Sequence, residues 1–179
     1  MIANKAIPIG IKVSGFLTGV KTATVNGEGA WTLGVVKGDL AADAATMLSI
    51  TQSDAVGNKS DAVSLKLTTD VTVAAPTINA IATDDKANSA EAAAGFNITG
   101  SGEAGAVVTL TLDSGSTLAG GNTATVGSDG SWSIAVVAAD ITAMGEGAEV
   151  ITAKQEDVAG NMSVNSSAKT LAVDTVVPS

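Results

Sequence analysis

Apolar residues alternate with Thr, Ser and other small polar residues in many short runs along this chain, and Gly, Asn, Asp and Ser fill the breaks. A period of two puts every second side chain on one face of an extended strand, so the pattern predicts an all-β chain with tight turns. Over 77–173 it predicts seven strands, A to G, at 77–82, 95–100, 107–112, 122–126, 131–137, 149–155 and 167–173. Ser128-Asp129-Gly130 predicts a tight D–E turn, because Asp and Gly tolerate the positive φ that such turns require. Trp132, Ile134 and Val136 share one face of strand E, which places Trp132 in a core rather than on an exposed sugar-stacking platform. Helical periodicity is nowhere sustained. The Ala-rich stretches 41–45 and 90–94 are too short for stable helices and predict single turns at most.

Much of this pattern occurs twice. Thr22-Ala23-Thr24-Val25-Asn26-Gly27-Glu28-Gly29-Ala30-Trp31-Thr32 returns as Thr123-Ala124-Thr125-Val126-Gly127-Ser128-Asp129-Gly130-Ser131-Trp132-Ser133, a shift of 101. Asp54-Ala55-Val56-Gly57-Asn58 returns as Asp157-Val158-Ala159-Gly160-Asn161, a shift of 103. A period near a hundred residues is one β-sandwich domain, not a short solenoid repeat. Residue 1 aligns with residue 102, so the first copy, 1–74, holds strands C to G only. Ile7, Ile9 and Ile11 match Val108, Leu110 and Leu112, and Trp31, Leu33 and Val35 repeat the core face of strand E. Residues 75–179 hold a complete module and the start of the next linker, with Pro76 and Pro178 stiffening the two exits. A sandwich without A and B exposes core and a sheet edge. Either an arbitrary start cut those strands away, or a strand from a neighbouring chain supplies them.

Composition narrows the chemistry. The 179 residues carry 9 cationic and 18 acidic side chains, a net charge of −9, which argues against nucleic acid or an anionic membrane surface as partner. The excess lies in the second copy: residues 1–76 hold six lysines and six acids, residues 77–179 three lysines and twelve acids. Cysteine and histidine are absent, which removes disulfide staples and the usual zinc ligands and leaves calcium as the metal to consider. No stretch nears the ~20 apolar residues of a membrane span, so no membrane insertion is expected. The first 13 residues show no signal-peptide order, and both ends read as cuts through a longer chain. Without His, Cys or Tyr a nucleophile lacks its activating base, and four aromatics make a poor sugar platform. The expectation is no enzyme.

The acids gather in loops, and strand parity says which loops share an end. If A runs from the leading end, the B–C, D–E and F–G loops return there. Glu103 lies in B–C, Asp157 and Asn161 in F–G, Asp129 in the D–E turn, and Asp70 in the arriving linker. Carboxylates crowded at a joint repel unless a cation neutralises them, and calcium takes six to eight oxygens at about 2.3–2.6 Å. The competing reading gives Asp and Asn to Asx turns and leaves Glu103 solvated. Asp84 and Asp85 in the A–B loop face the following joint, which Asp174, the repeat of Asp70, would also serve. Asp54 and Asn58 repeat the F–G loop in the first copy.

Six segments then resemble a known group: Ala75-Pro76-Thr77-Ile78, Ile98-Thr99-Gly100-Ser101-Gly102-Glu103-Ala104-Gly105-Ala106, Asp129-Gly130-Ser131-Trp132, Ala139-Asp140-Ile141, Asp157-Val158-Ala159-Gly160-Asn161 and Val173-Asp174-Thr175. As a set they are similar to the Ig-like repeats of large bacterial surface adhesins and biofilm-associated proteins. The resemblance covers nearly all of 74–179 and about 20–73 of the first copy. It implies tandem Ig-like β-sandwich modules on a secreted, bacterial cell-surface protein, with neighbouring modules as partners and Ca2+ at the joints. The linker departs from the pattern by one lost proline, and residues 1–20 match poorly. Three readings follow: a structural extender of an adhesin stalk, a filament subunit forming homo-oligomers by strand exchange, and a tip domain binding carbohydrate or protein. Short loops poor in Trp, Tyr and Arg speak against the last.

Overall fold

The computed structural model describes residues 10–176. Ile7 and Ile9 of the expected first strand, and Val177 and Pro178 of the closing linker, lie outside the described residues. The chain forms two compact units, Met1–Val71 and Thr72–Ser179.

In the first unit, β1 (Gly10–Phe16), β2 (Gly19–Thr24), β3 (Ala45–Ser53) and β4 (Val63–Thr68) form one antiparallel sheet in the order β2-β1-β3-β4. Its small core is Ile11, Val13, Phe16 and Leu48, with Leu33 and Leu40 packed against it. Two expectations are corrected here. Ile11 faces Gln52 across the sheet, as Val108 faces Gln155 in the second unit, so Ile11 is the counterpart of Val108 and not of Leu112. The β1–β2 hairpin is shorter than its equivalent, and a slip of four residues keeps every side chain on its own face, so apolar spacing alone does not detect it. Nor does the segment from Trp31 to Val36 form a strand, and Trp31 is 39% exposed, not a core residue.

The second unit shows why. β5 (Lys86–Asn88), α1 (Ser89–Ala94), β6 (Phe96–Ser101), β7 (Val107–Leu112), β8 (Thr123–Thr125), β9 (Ser131–Val136), α2 (Ala138–Met144), β10 (Gly147–Glu156) and β11 (Lys169–Asp174) follow in order. One sheet runs β5-β11-β10-β7-β8, and the other is the antiparallel pair β6–β9. Strand β9 therefore draws all its ladder bonds from β6. The first unit has no counterpart of β6 among the described residues, and its Trp segment stays irregular.

Between the two sheets lie Ile98, Val108, Leu110, Trp132, Ile134, Val136, Ile151 and Leu171, all under 5% exposed. Each comes from the inward parity of its strand, the arrangement of a β-sandwich. Gly100 sits opposite Trp132 in the β6–β9 ladder, and a Cβ there would run into the Trp132 ring and the Thr77 carbonyl. The indole Nε1–H donates to the Ser101 carbonyl at 3.2 Å.

Residues 77–82 also depart from the expected strand A. Only Thr77 and Asn79 donate backbone bonds to β6, at 2.9 and 2.8 Å. Left-handed residues Ala82, Thr83 and Asp85 then carry the chain over to β5, which pairs in parallel with β11. A segment crossing between sheets cannot sustain one ladder. The Ala-rich stretch becomes α1, more than a single turn, because Asn88 accepts from Ala90 and Glu91 N–H while Glu91 accepts from Asn88 N–H. α2 was not expected from periodicity. Asp140 starts it, its carboxylate accepting the Val137 N–H at 2.9 Å and also the Ala119 N–H at 2.7 Å.

Candidate metal centre

Strand β10 delivers Asp157 into the turn that follows it, and Asn161 closes that turn. Asp157 Oδ1 accepts the Asn161 N–H at 2.8 Å, and Oδ2 accepts the Asn161 side-chain amide at 2.7 Å. The Asp157 N–H donates to the Asn161 carbonyl at 3.0 Å, so the loop is closed at both ends. Asp157 is 6% exposed. Burial is the largest single influence on its carboxyl and pushes the pKa up, but the bonds from Asn161, Ala159 and Gly160 together hold it below the ordinary value. It stays an anion. The first unit repeats the design: Asp54 Oδ1 accepts from Val56 and Asn58 N–H, and Oδ2 from the Asn58 amide at 2.7 Å. The Asn58 amide, first, and these backbone bonds lower the Asp54 pKa as well.

Glu103 reaches the same end of the second unit from the β6–β7 loop. Its exposed carboxylate has an oxygen within 4.8 Å of an Asp157 oxygen. Oxygens up to roughly 5 Å apart can share one calcium at its usual bond lengths. The donors are all hard oxygens, and with no His or Cys in the chain they fit calcium rather than zinc. Asn161 shapes Asp157 through its amide N–H.

Gln155 builds the floor beneath this pair and was not singled out in the sequence. It is 1% exposed; its Oε1 accepts the Glu103 N–H at 3.0 Å and its Nε2 donates to the Ala74 carbonyl at 2.8 Å. One side chain thus ties the Glu103 loop to the arriving chain. Gly102 permits this, because a Cβ there would meet Gln155 Oε1. The available signal was a polar residue at an inward position, in phase with Ile151 and Ala153, that recurs as Gln52.

The other expected ligands are each described within their own unit. Asp70 is exposed, one residue before the unit boundary. Asp85 accepts the Ile81 N–H at 2.8 Å and pairs with Lys169 at 2.8 Å, and the lysine bond, then the backbone bond, lower its pKa. Asp84 accepts the Lys86 N–H at 3.2 Å. Asp174 ends β11, exposed. Asp129 accepts from the Ser131 N–H and hydroxyl, as its turn requires.

Among solved structures, the chain is similar over 96% of its length, at 31% identity and a TM-score of 0.50, to the Ca2+-stabilized adhesin with which an Antarctic bacterium reaches out and binds ice; it spans 41% of that chain. A 1.5-MDa bacterial ice-binding adhesin is 29% identical over 95% of this chain, which spans 54% of that one, with a TM-score of 0.49. A bacterial immunoglobulin-like domain from the M. primoryensis ice-binding adhesin is 32% identical and is covered completely by 58% of this chain, with a TM-score of 0.41. No protein-family model and no curated protein matches the chain.

Proposed function

Because this chain is similar, at 31% identity over 96% of its length, to a Ca2+-stabilized adhesin, we propose that it is an Ig-like extender segment of a cell-surface adhesin stalk, stiffened by Ca2+ at its module joints. The observation that carries the reading is the Glu103–Asp157 pair, two carboxylates within 4.8 Å beside the arriving linker. Chain reach brings in Asp70. Ala74 is bound to Gln155, and four residues of extended chain span at most about 14 Å, so Asp70 is within a linker's reach of the pair. An ion held by Asp70, Glu103 and Asp157 would tie the linker to two loops of the following module. Asp54 with Asn58, and Asp84, Asp85 and Asp174, are the corresponding ligands proposed for the joints before and after.

The stalk reading accords with a product that is stiffness and not reactivity. Among the described residues no helix is long and apolar enough to cross a membrane. A surface location is part of the proposal. Thermal melting in chelator and in millimolar calcium tests the ion's role: the second unit should melt higher with calcium, and identical curves would remove calcium from the mechanism.

A second reading, a filament subunit completed by a neighbour's strand, is favoured by one observation, the exposure of Trp31, Val35 and Val36 in the first unit. Light scattering at high concentration separates the two, since a strict monomer excludes strand exchange.

A further inference from the structure

Two side chains hold the linker on either side of the unit boundary, and neither needs a metal. On the exit side, the Asp43 carboxylate accepts the Val71 N–H at 2.7 Å. On the entry side, Gln155 donates to the Ala74 carbonyl at 2.8 Å. The bonds fall three residues apart, within a stretch where Pro76 already restricts the backbone.

The exit bond occurs twice. Glu146 stands 103 residues after Asp43, and its carboxylate accepts both the N–H, at 3.0 Å, and the hydroxyl of Thr175, the first residue beyond β11. Thr175 stands 104 residues after Val71. Both acids lie just before the penultimate strand of their units, β3 and β10. The bonds from Thr175 hold the Glu146 carboxyl below its ordinary pKa, as expected for an acid acting as a permanent acceptor. Neither bond secures a strand ladder: Val71 and Thr175 lie beyond β4 and β11. An acid repeated in place and in partner, on a residue that belongs to no strand, positions the departing chain.

We infer that Asp43 and Gln155 are linker-positioning residues, which set the path of the chain between the units before any ion binds, and that Glu146 repeats the Asp43 role at the next exit. The inference takes the stalk reading as its setting, but it is independent of calcium. An ion would then meet a linker already directed towards it and lose less of its binding energy to ordering the chain.

The chain has no cysteine, so spin labels at Lys66→Cys and Lys154→Cys, both exposed, report one distance across the boundary in the intact chain. In chelator, Asp43→Ala should broaden that distance distribution and speed Val71 amide exchange by roughly tenfold, the loss of one charge-assisted hydrogen bond. Asp43→Asn keeps the acceptor oxygen and should restore the narrow distribution. Gln155→Met should also broaden it, with Trp132 fluorescence reporting whether the second unit stays folded. The Asp43 arm decides the case alone, because that side chain is exposed and its loss spares the core. Unchanged exchange and an unchanged width in Asp43→Ala overturn the inference. Added calcium that fails to narrow the distribution further counts against the calcium reading only.

Discussion

Asp39 and Asp140 stand 101 residues apart and make the same bond: each carboxylate accepts the N–H of the residue three positions earlier, Val36 at 2.7 Å and Val137 at 2.9 Å. Each is buried, and each ties this turn to a neighbouring loop, Asp39 through Thr18 and Lys21 and Asp140 through Ala119. The same residue performs the same closure in a complete sandwich and in a single four-stranded sheet.

The Asp39 pairing makes the first unit acid-sensitive. The bond with Lys21, then those with Thr18 and Val36, lower its pKa from 3.8 to about 2. A carboxyl depressed in the folded state contributes stability that is present above the unfolded value and lost as pH falls from about 4 towards 2. Melting of the first unit should drop through that window in the wild type. Asp39→Asn should be less stable at neutral pH and should flatten the acid limb. A parallel acid limb in the variant would refute the assignment.

The two tryptophans should differ sharply. Trp132 is 3% exposed within a large core, so Trp132→Ala should destabilise the second unit by about 3–5 kcal/mol. Trp31 is 39% exposed, and Trp31→Ala should lower the first unit's melting point far less. Calorimetric melting of each variant, read against the wild-type chain, compares them.

Gly100→Ala tests the contact beneath Trp132. The added methyl has no room between the indole and the Thr77 carbonyl, so either the ring or the crossing segment must move. A loss of 1–3 kcal/mol is expected, about the usual cost of overpacking. Wild-type stability would mean that the segment from Thr77 to Asn79 yields freely.

Calcium ligation predicts a further pattern. Asp157→Asn and Glu103→Gln should each reduce the calcium-induced rise in melting temperature. Asp129→Asn, whose carboxylate serves its own turn, should leave that rise intact. Equal loss in all three would indicate general charge screening rather than a site.

Strand-level features were readable where a residue's face decided its burial. β7 and β9 show the alternation of Val108, Leu110 and Leu112 and of Trp132, Ile134 and Val136, and they fold as that pattern requires. What failed depended on a partner. Trp31, Leu33 and Val35 carry the alternation of β9, but a strand forms only beside another, and no β6 counterpart lies next to them among the described residues. The loop acids were visible as acids, and the Asp157–Asn161 turn as a turn. Gln155 was hidden because it acts through one amide on two distant backbone groups, Glu103 and Ala74, and no local spacing records that.

The parallel pairing of β5 with β11 has a mechanical consequence. Lys86, Ala87 and Asn88 stand opposite Ala172, Val173 and Asp174, near the start and at the end of the second unit. A tether pulling the two ends apart drags these strands past each other lengthwise, so their cross-links share the load together instead of tearing in succession. The unit resists traction where its first and last strands run side by side.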